Sequence, residues 1–240
     1  MGRVVNMRCH LSATRCRDIN SPSEYGIPAR AVAPPSRAEP LNCPPRLCMI
    51  GPVDTYLETE RLTLRPFTAD DADLLIELDS DAAVMRYLSG GVPTAPEVVR
   101  ERSLPNILAG YERWRGRLGL FAAHEKEGGA FIGWFCLRPQ PQGPLEEVEL
   151  GYRLRQAAWG RGYATEGSRA LLRKAFTELG VRLVWAETMV VNRPSRNVME
   201  KLDMKLAKAI PTPPGMERVE GSEQGGVRFE ITKEQWEPQE

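Results

Sequence analysis

Residues 159–166, with the sequence WGRGYATE, have the composition of a phosphate-binding turn. Gly160 and Gly162 let the backbone turn tightly and approach a ligand closely, because neither residue carries a Cβ atom. A helix that starts here leaves its first N–H groups without helical partners, and its dipole adds positive charge. An anion such as a pyrophosphate would therefore bind at this turn. An ordinary strand-to-helix turn explains the same pattern, because Gly-x-Gly is common in tight turns.

Two familiar nucleotide-binding motifs do not match this chain. It contains no Gly-x4-Gly-Lys-Ser/Thr sequence, and Thr165 occupies the third glycine position of a Rossmann fingerprint. These mismatches argue against a nucleoside triphosphatase. A nucleotide-binding regulatory domain of another fold is the weaker alternative that they leave open.

Hydrophobic periodicity predicts the elements that position the turn. Thr68 and Asp71 have the spacing of a helix capping box. The predicted order is strand 62–66, a helix after Thr68, a helix over 94–114 interrupted at Pro105, paired strands 118–124 and 130–137, strand 147–154, a helix from the glycine turn to Gly180, strand 182–191, a short helix from Ser195, and strand 227–232. This order predicts an α+β fold with helices packed on a mixed, mostly antiparallel central sheet.

Residues 1–53 differ in character from the rest of the chain. They are rich in proline, begin with several arginines and show no hydrophobic periodicity. We expect a disordered N-terminal extension over 1–53 and one folded domain over 54–240. The basic start resembles an organelle-targeting peptide, but an upstream extension preceding an alternative start at Met49 explains it equally.

Composition favours a small-molecule partner. The 32 basic and 32 acidic residues give zero net charge, so no overall field favours nucleic acid or a membrane. No apolar run approaches the ~20 residues of a membrane helix, and no secretory signal is present, so we expect a cytoplasmic protein. The five cysteines match no common zinc pattern, and we expect no metal site. Cys136 lies in an apolar run and is interpreted as a core residue.

Four segments, taken in order, resemble the GCN5-related N-acetyltransferases, and within them the ribosomal-protein alanine acetyltransferase branch. They are LETERLTLRPF at 57–67, ELGY at 149–152, WGRGYATE at 159–166 and NRPSRNVMEKL at 192–202. The resemblance covers about residues 56–236. It implies an acyl-CoA N-acyltransferase fold and an enzyme that uses acetyl-coenzyme A to acetylate an amine.

The resemblance also implies where acetyl-coenzyme A binds. Its pyrophosphate would accept hydrogen bonds from the backbone of the glycine turn, with a charged contact from Arg161. Pantetheine would pair with exposed backbone near Tyr152, because in this family the strand before the turn splays away from the next one. The implied cofactor-binding residues are Tyr152, Leu154, Gly160, Arg161, Gly162, Tyr163, Ala164, Thr165, Asn192 and Asn197. Asn197 is also compatible with a plain helix-surface position.

This chain departs from the family pattern at three positions. Ala157 replaces an Arg or Gln that often precedes the first glycine, which shifts phosphate binding toward the backbone. Asp203 replaces a glycine, and aspartate tolerates the left-handed conformation less readily. Arg196 and Asn197 stand where some relatives carry a tyrosine general acid. The thiolate therefore leaves either unassisted or with a proton from Ser195.

Glu149 is the candidate general base. Amide formation needs a neutral amine, and a carboxylate can accept the amine's proton directly or through a water. Strand alternation places Glu149 on one face and Val148 and Leu150 on the other. The alternatives are a solvated surface charge or a residue that only orients the substrate. His124 has a proton-carrying side chain, but its place at a strand end favours a structural role.

No sequence motif identifies the acceptor amine. The family acetylates protein N-termini, amino acids, polyamines and antibiotics, and here residues 82–91 and 211–226 would form the acceptor site. A non-catalytic acyl-coenzyme A sensor is the alternative function, because it would keep the glycine turn without a base. An exposed sheet edge at the C-terminal strand makes either a monomer or a homodimer compatible with the sequence.

Overall fold

The computed structural model describes residues 55–140, 143–212, 215–217 and 219–236. The predicted N-terminal extension therefore lies outside the described residues. Cys9, Cys16, Cys43 and Cys48 lie outside them as well. Cys136 is described, and it is buried in the core as predicted.

Eight strands among the described residues form one mixed sheet, in the order β1-β2-β3-β4-β5-β6-β8-β7. The strands are β1 (Leu57–Glu58), β2 (Leu62–Pro66), β3 (Gly119–Glu125), β4 (Phe131–Pro139), β5 (Glu147–Leu154), β6 (Leu183–Met189), β7 (Lys205–Ile210) and β8 (Gly226–Thr232). Neighbouring strands are antiparallel except β5 and β6, which are parallel. The predicted α+β class with a mostly antiparallel sheet is confirmed.

The helices pack on both faces of this sheet. They are α1 (Ala72–Ser80), α2 (Ala82–Ser89), α3 (Pro96–Val98), α4 (Leu104–Arg113), α5 (Tyr163–Thr177), α6 (Arg193–Lys201) and α7 (Lys233–Trp236). A π-helical stretch, Val99–Ser103, joins α3 to α4 immediately before Pro105. Proline has no N–H to donate and its ring crowds the preceding turn, so a wider turn accommodates it. The predicted interruption at Pro105 is therefore a local widening just before the proline.

The two faces of β5 carry different residues, as the alternation predicted. Val148, Leu150, Tyr152 and Leu154 are buried in the core that includes α5. Glu149 and Arg153 point to the opposite face, where each forms an ion pair. That face also carries α1 and α4, whose apolar side chains pack on Trp134 and Cys136. Each large side chain buried this way contributes about 1.5–3 kcal/mol to stability.

The C-terminal part of the sheet differs from the prediction. β8 lies between β6 and β7, so the C-terminal strand is not an exposed edge, and that expectation is wrong. β7 is the edge strand and is missing from the predicted order. Its residues are almost all exposed, and a strand without a buried face lacks the alternation that identifies strands in a sequence.

Candidate active site

β5 and β6 separate after only three residue pairs. Residues 147–149 of β5 pair with residues 183–185 of β6, whereas β5 stays paired with β4 on its other side up to Leu154. The predicted separation of these strands is therefore present. Past Glu149, the β5 edge that faces β6 has no strand partner among the described residues. An extended ligand can pair with such an edge.

The glycine turn follows β5 and leads into α5. Gly160 and Gly162 have φ angles of +76° and +85°, a conformation that costs residues with a Cβ about 1–2 kcal/mol each. Gly162 precedes the first residue of α5, and no described side chain caps this end of the helix. The first N–H groups of the 15-residue helix are therefore left for water or for a ligand.

A cleft lies between the glycine turn and α6. Seven residues that were predicted to bind the cofactor line it: Leu154, Gly160, Gly162, Tyr163, Ala164, Thr165 and Asn197. Five others that were not assigned to the cofactor line it as well: Ala158, Trp159, Pro194, Val198 and Lys201. The fold thus brings together the end of β5, the glycine turn and one side of α6.

Three other residues in the predicted cofactor set do not line this cleft. The Tyr152 side chain is fully buried, and its hydroxyl donates a hydrogen bond to the Ser195 carbonyl oxygen at a distance of 3.5 Å. Only the backbone of Tyr152 is left to meet a ligand. The Arg161 guanidinium forms an ion pair with Glu125 at 2.7 Å. Asn192 is fully buried at the start of α6.

Asn192 is the cap of α6. Its side-chain oxygen accepts a hydrogen bond from the Ser195 N–H at 3.4 Å, and its Nδ2 donates to Thr188 Oγ1 at 3.0 Å. The helix therefore begins at Arg193, and the prediction that Ser195 starts it is wrong, because Ser195 lies in its first turn. Ser195 is fully buried and does not line the cleft. Its role as a general acid stays a prediction.

Glu149 lies at the point where β5 and β6 separate. It is the last β5 residue that pairs with β6, and it is directly opposite Arg138 of β4. Its Oε2 accepts hydrogen bonds from Arg138 Nε and Nη2, each at 3.0 Å. Only 3% of the Glu149 side chain is exposed. The opening therefore begins at a buried carboxyl group that is paired with a guanidinium.

Lys201 brings a positive charge to the cleft from the last turn of α6. Its carbonyl oxygen accepts a hydrogen bond from Arg169 Nη2 at 2.7 Å, which ties the end of α6 to α5. The lysine and the N-terminus of α5 both favour an anion in the cleft. The sequence showed that Lys201 is a basic residue near the end of a short helix. The spacing of residues in this segment did not show that the helix faces the glycine turn.

His124 and the tryptophans have mainly structural contacts. His124 Nδ1 lies 3.1 Å from the Gly129 carbonyl oxygen, and burial lowers the pKa of His124, which favours the neutral ring. Trp134 and Trp185 are buried. Trp159 donates its indole N–H to the Leu154 carbonyl oxygen at 2.9 Å and forms part of the cleft wall.

The two segments predicted to form the acceptor site are in contact. Arg86 of α2 pairs with Glu220 at 2.7 Å, and Tyr87 packs on a cluster of Met189, Met216 and Val219. The ion pair is largely exposed, and such pairs contribute only about 0–1 kcal/mol. The apolar cluster, which includes the end of β6, is therefore the firmer connection between these segments.

Among the residues that the structure describes, no group of three or more His, Cys, Asp or Glu side chains is arranged to hold a metal ion. No helix among these residues is long and apolar enough to cross a membrane.

Comparisons with known proteins agree with this geometry. The Acetyltransferase (GNAT) domain family matches residues 61–205. FsC-acetyl coenzyme A-N(2)-transacetylase of Aspergillus fumigatus is 35% identical over 195 residues, covering 75% of this chain and 77% of the relative. A GNAT-family acetyltransferase from Bacillus anthracis superimposes with a TM-score of 0.61 at 23% identity, covering 74% of this chain and 98% of that one.

The structure of RimL, a ribosomal alpha-N-protein acetyltransferase solved with coenzyme A, is also similar. It has a TM-score of 0.61 at 16% identity and covers 75% of this chain and 98% of its own. At this identity the likeness shows the fold alone, so the ribosomal-protein branch stays a prediction. The family match, in contrast, spans β5, the glycine turn and α6. The chain therefore belongs to the GNAT acetyltransferase family, has its acyl-CoA N-acyltransferase fold, and is an acetyl-coenzyme A-dependent N-acetyltransferase.

Proposed function

We propose that this protein acetylates a primary amine by direct attack of that amine on acetyl-coenzyme A, with Glu149 as the carboxylate base. The observation that carries the proposal is the opening between β5 and β6. It begins at Glu149 and continues to Leu154, at the cleft beside the uncapped end of α5. A carboxylate and a turn suited to an anion thus lie at the two ends of the β5 stretch that, among the described residues, has no strand partner on its β6 side.

The residues around the cleft fit coenzyme A. The backbone N–H groups of residues 160–165 would bind its pyrophosphate, and the Lys201 ammonium adds a positive charge from α6. The β5 backbone near Tyr152 to Leu154, on the side that no longer pairs with β6, would pair with the amides of the pantetheine arm. The Asn197 amide lines the same cleft and can both donate and accept hydrogen bonds. Coenzyme A, when bound, supplies the acetyl group as an activated thioester.

Glu149 would remove the proton that the attacking amine loses. A new C–N bond forms at the acetyl carbon, the C–S bond breaks, and the amine proton passes to the carboxylate directly or through a water. Such a base typically contributes ~10²–10⁴-fold to the rate. Arg138 holds the carboxylate in place. The departing sulfur takes a proton from Ser195 or from solvent.

The acceptor class is a primary amine on a protein N-terminus, an amino acid or a small molecule. The name of the Aspergillus relative places the transferred acetyl group on a nitrogen designated N(2) of FsC. This makes an FsC amine the first acceptor to try. Residues 82–91 and 211–226, which adjoin each other at Tyr87 and Glu220, would surround the acceptor.

The test combines binding with turnover. Calorimetric titration of the full-length protein with coenzyme A is expected to show binding, and acetyl transfer is then measured over a panel of amines. Glu149→Gln should lower kcat by about 100-fold, in keeping with loss of a general base, and should leave the dissociation constant for coenzyme A unchanged. Glu178→Gln is the matched control, because the Glu178 side chain is 58% exposed, pairs with Lys174 and does not line the cleft.

Each part of the proposal can fail separately. Turnover by Glu149→Gln equal to wild type at all pH values would remove the assigned base. Coenzyme A binding without transfer to any amine would contradict the proposed reaction and favour an acyl-coenzyme A sensor. Absence of coenzyme A binding would overturn the proposed site.

A further inference from the structure

Glu166, in the first turn of α5, is held by the connection between β1 and β2. Its Oε1 accepts hydrogen bonds from Thr59 Oγ1 at 2.6 Å and from the Arg61 backbone N–H at 2.9 Å. Its Oε2 lies 2.7 Å from Arg61 Nε and 2.6 Å from Arg61 Nη2. Burial would raise the pKa of Glu166, but the hydrogen bonds from Thr59 and Arg61 hold it below its usual value. The start of α5 is therefore bound to a segment about 105 residues away in the chain.

Arg61 also contacts the glycine turn itself. Its Nη1 donates to the Arg161 carbonyl oxygen at 3.0 Å. In a trans peptide the carbonyl and the following N–H point in opposite directions. The Gly162 N–H therefore points away from Arg61. A Cβ atom on Gly162 would lie 3.4 Å from Arg61 Nη2, which shows how closely the guanidinium approaches the turn.

Aromatic contacts hold the Arg61 guanidinium in this position. Tyr163 lies between two arginines, with Arg61 at 4.5 Å and Arg161 at 4.8 Å from its ring centre. The Tyr163 hydroxyl donates to Glu125, which also pairs with Arg161 at 2.7 Å. The hydrogen bond to Glu125 raises the pKa of Tyr163. Arg61, Arg161 and Glu125 thus all contact one tyrosine beside the turn.

The exposure of Arg61 indicates what this network does. The Arg61 side chain is 44% exposed, and exposed ion pairs contribute little to overall stability. Arg61 is also absent from the residues that line the cleft, so it does not face the ligand directly. What its contacts fix is the direction of one peptide group in the turn.

We propose that Arg61 is a positioning residue for donor binding: it orients the peptide between Arg161 and Gly162 so that the turn presents its N–H groups to the coenzyme pyrophosphate. This inference rests on the proposed function. It assigns a role to an arginine of the β1–β2 connection that contacts two cleft-lining residues, Gly162 and Tyr163, without being one of the lining residues. Arg61 acts here through Gly162 and Glu166.

The test compares Arg61→Gln with Arg65→Gln in the full-length protein. Arg65 lies on β2, four residues after Arg61, and forms a two-point ion pair with Asp71, at 2.7 and 2.8 Å. Arg61→Gln should weaken coenzyme A binding by about tenfold, the loss expected when one hydrogen bond to a charged group no longer forms. Its kcat at saturating acetyl-coenzyme A should stay within about twofold of wild type, and Arg65→Gln should bind coenzyme A as wild type does.

Inhibition by pantetheine distinguishes a positioning role of Arg61 from general damage to the cleft, because pantetheine lacks the pyrophosphate. Its inhibition constant should be the same in Arg61→Gln and in wild type. Equal weakening of pantetheine and coenzyme A, or equal effects of the two arginine variants, would overturn the inference. If Arg61→Gln does not fold, Arg61→Lys keeps a charge near Glu166 but lacks the planar guanidinium that reaches Glu166 and the Arg161 carbonyl from separate nitrogens, and wild-type affinity in that variant would also overturn the inference. Failure of the wild-type protein to bind coenzyme A would refute the proposed function together with this inference. Wild-type binding with no specific effect of Arg61→Gln would refute this inference alone.

Discussion

The two helices that border the cleft begin in opposite ways. α5 starts after Gly162, whose left-handed backbone carries no capping side chain. α6 starts after Asn192, whose side chain accepts a hydrogen bond from the Ser195 N–H, and Pro194 in its first turn has no N–H to satisfy. One helix therefore leaves its first donors open, whereas the other satisfies them internally.

This difference favours the start of α5 over the start of α6 for the proposed anion site. An uncapped helix end exposes N–H groups and partial positive charge to a ligand, and a capped end does not. α6 contributes to the cleft through its side, with Asn197, Val198 and Lys201. The two helices also differ in what holds them. α5 is tied to β1 and β2 through the charged Glu166, whereas the cap of α6 is a neutral amide.

Gly160→Ala tests the open end of α5 and should have the largest effect. A Cβ at this φ is strained, and it would stand at the cleft wall where the backbone approaches the pyrophosphate. Coenzyme A affinity should fall at least about tenfold, because a displaced turn loses a hydrogen bond to a charged group. Calorimetric titration measures this loss.

Gly180→Ala is the matched control for that variant. Gly180 has a φ of +75°, against +76° for Gly160, and a Cβ at either position meets nothing within 4 Å. Both variants should lose about 1–2 kcal/mol of stability from the left-handed backbone. Only Gly160→Ala should lose affinity, and equal affinities in the two variants would contradict an anion site at this turn.

Asn192→Ala tests the closed end of α6 and should affect stability more than binding. Loss of an N-cap costs about 1 kcal/mol, which lowers the melting temperature of a chain this size by roughly 2–4 °C. Coenzyme A affinity should stay within about twofold of wild type. Asn192→Ser retains a cap acceptor without placing a charge at this fully buried position and should recover part of the stability. A tenfold loss of affinity in Asn192→Ala would instead support the direct cofactor contact that the family resemblance implies.

Glu166→Gln tests the charged contact that joins the start of α5 to Arg61, and we expect it to change stability least among these variants. The pKa of Glu166 is lowered in the folded protein, so its carboxylate stabilises the fold above its unfolded pKa of about 4.3 and loses this effect as the pH falls through the lower folded value. At pH 7 the variant should be less stable by up to about 1 kcal/mol, and urea unfolding should show the difference shrinking below pH 4. A difference that stays constant with pH would contradict this role.

Local patterns predicted the elements whose signals are confined to a few neighbouring residues. The predicted strand 147–154 coincides with β5, because its alternating side chains separate a buried face from a charged one. Asp203 also adopts the left-handed conformation that its family position requires, with a φ of +60°. Each of these features depends on residues that are adjacent in the chain.

Long-range contacts decided the features that the sequence predicted wrongly or missed. β7 has no buried face, so residues 205–210 lack the hydrophobic alternation that predicts a strand. Its pairing with β8 is visible only in the structure. The contact of Arg161 with phosphate stays a prediction, and the sequence did not show that its guanidinium pairs with Glu125 of β3. Lys201 was visible as a basic helix residue, but only the packing of α6 beside the glycine turn brings it to the cleft.

The sequence by itself determined the glycine turn, the two faces of β5, the family and the carboxylate candidate Glu149. These features follow from backbone sterics and from side-chain periodicity, which act between near neighbours. Only the tertiary structure decided where β5 leaves β6, which helix end stays open, and that Arg61 reaches the turn. Those outcomes depend on contacts between residues far apart in the chain, whose geometry exists only once the sheet and helices have packed.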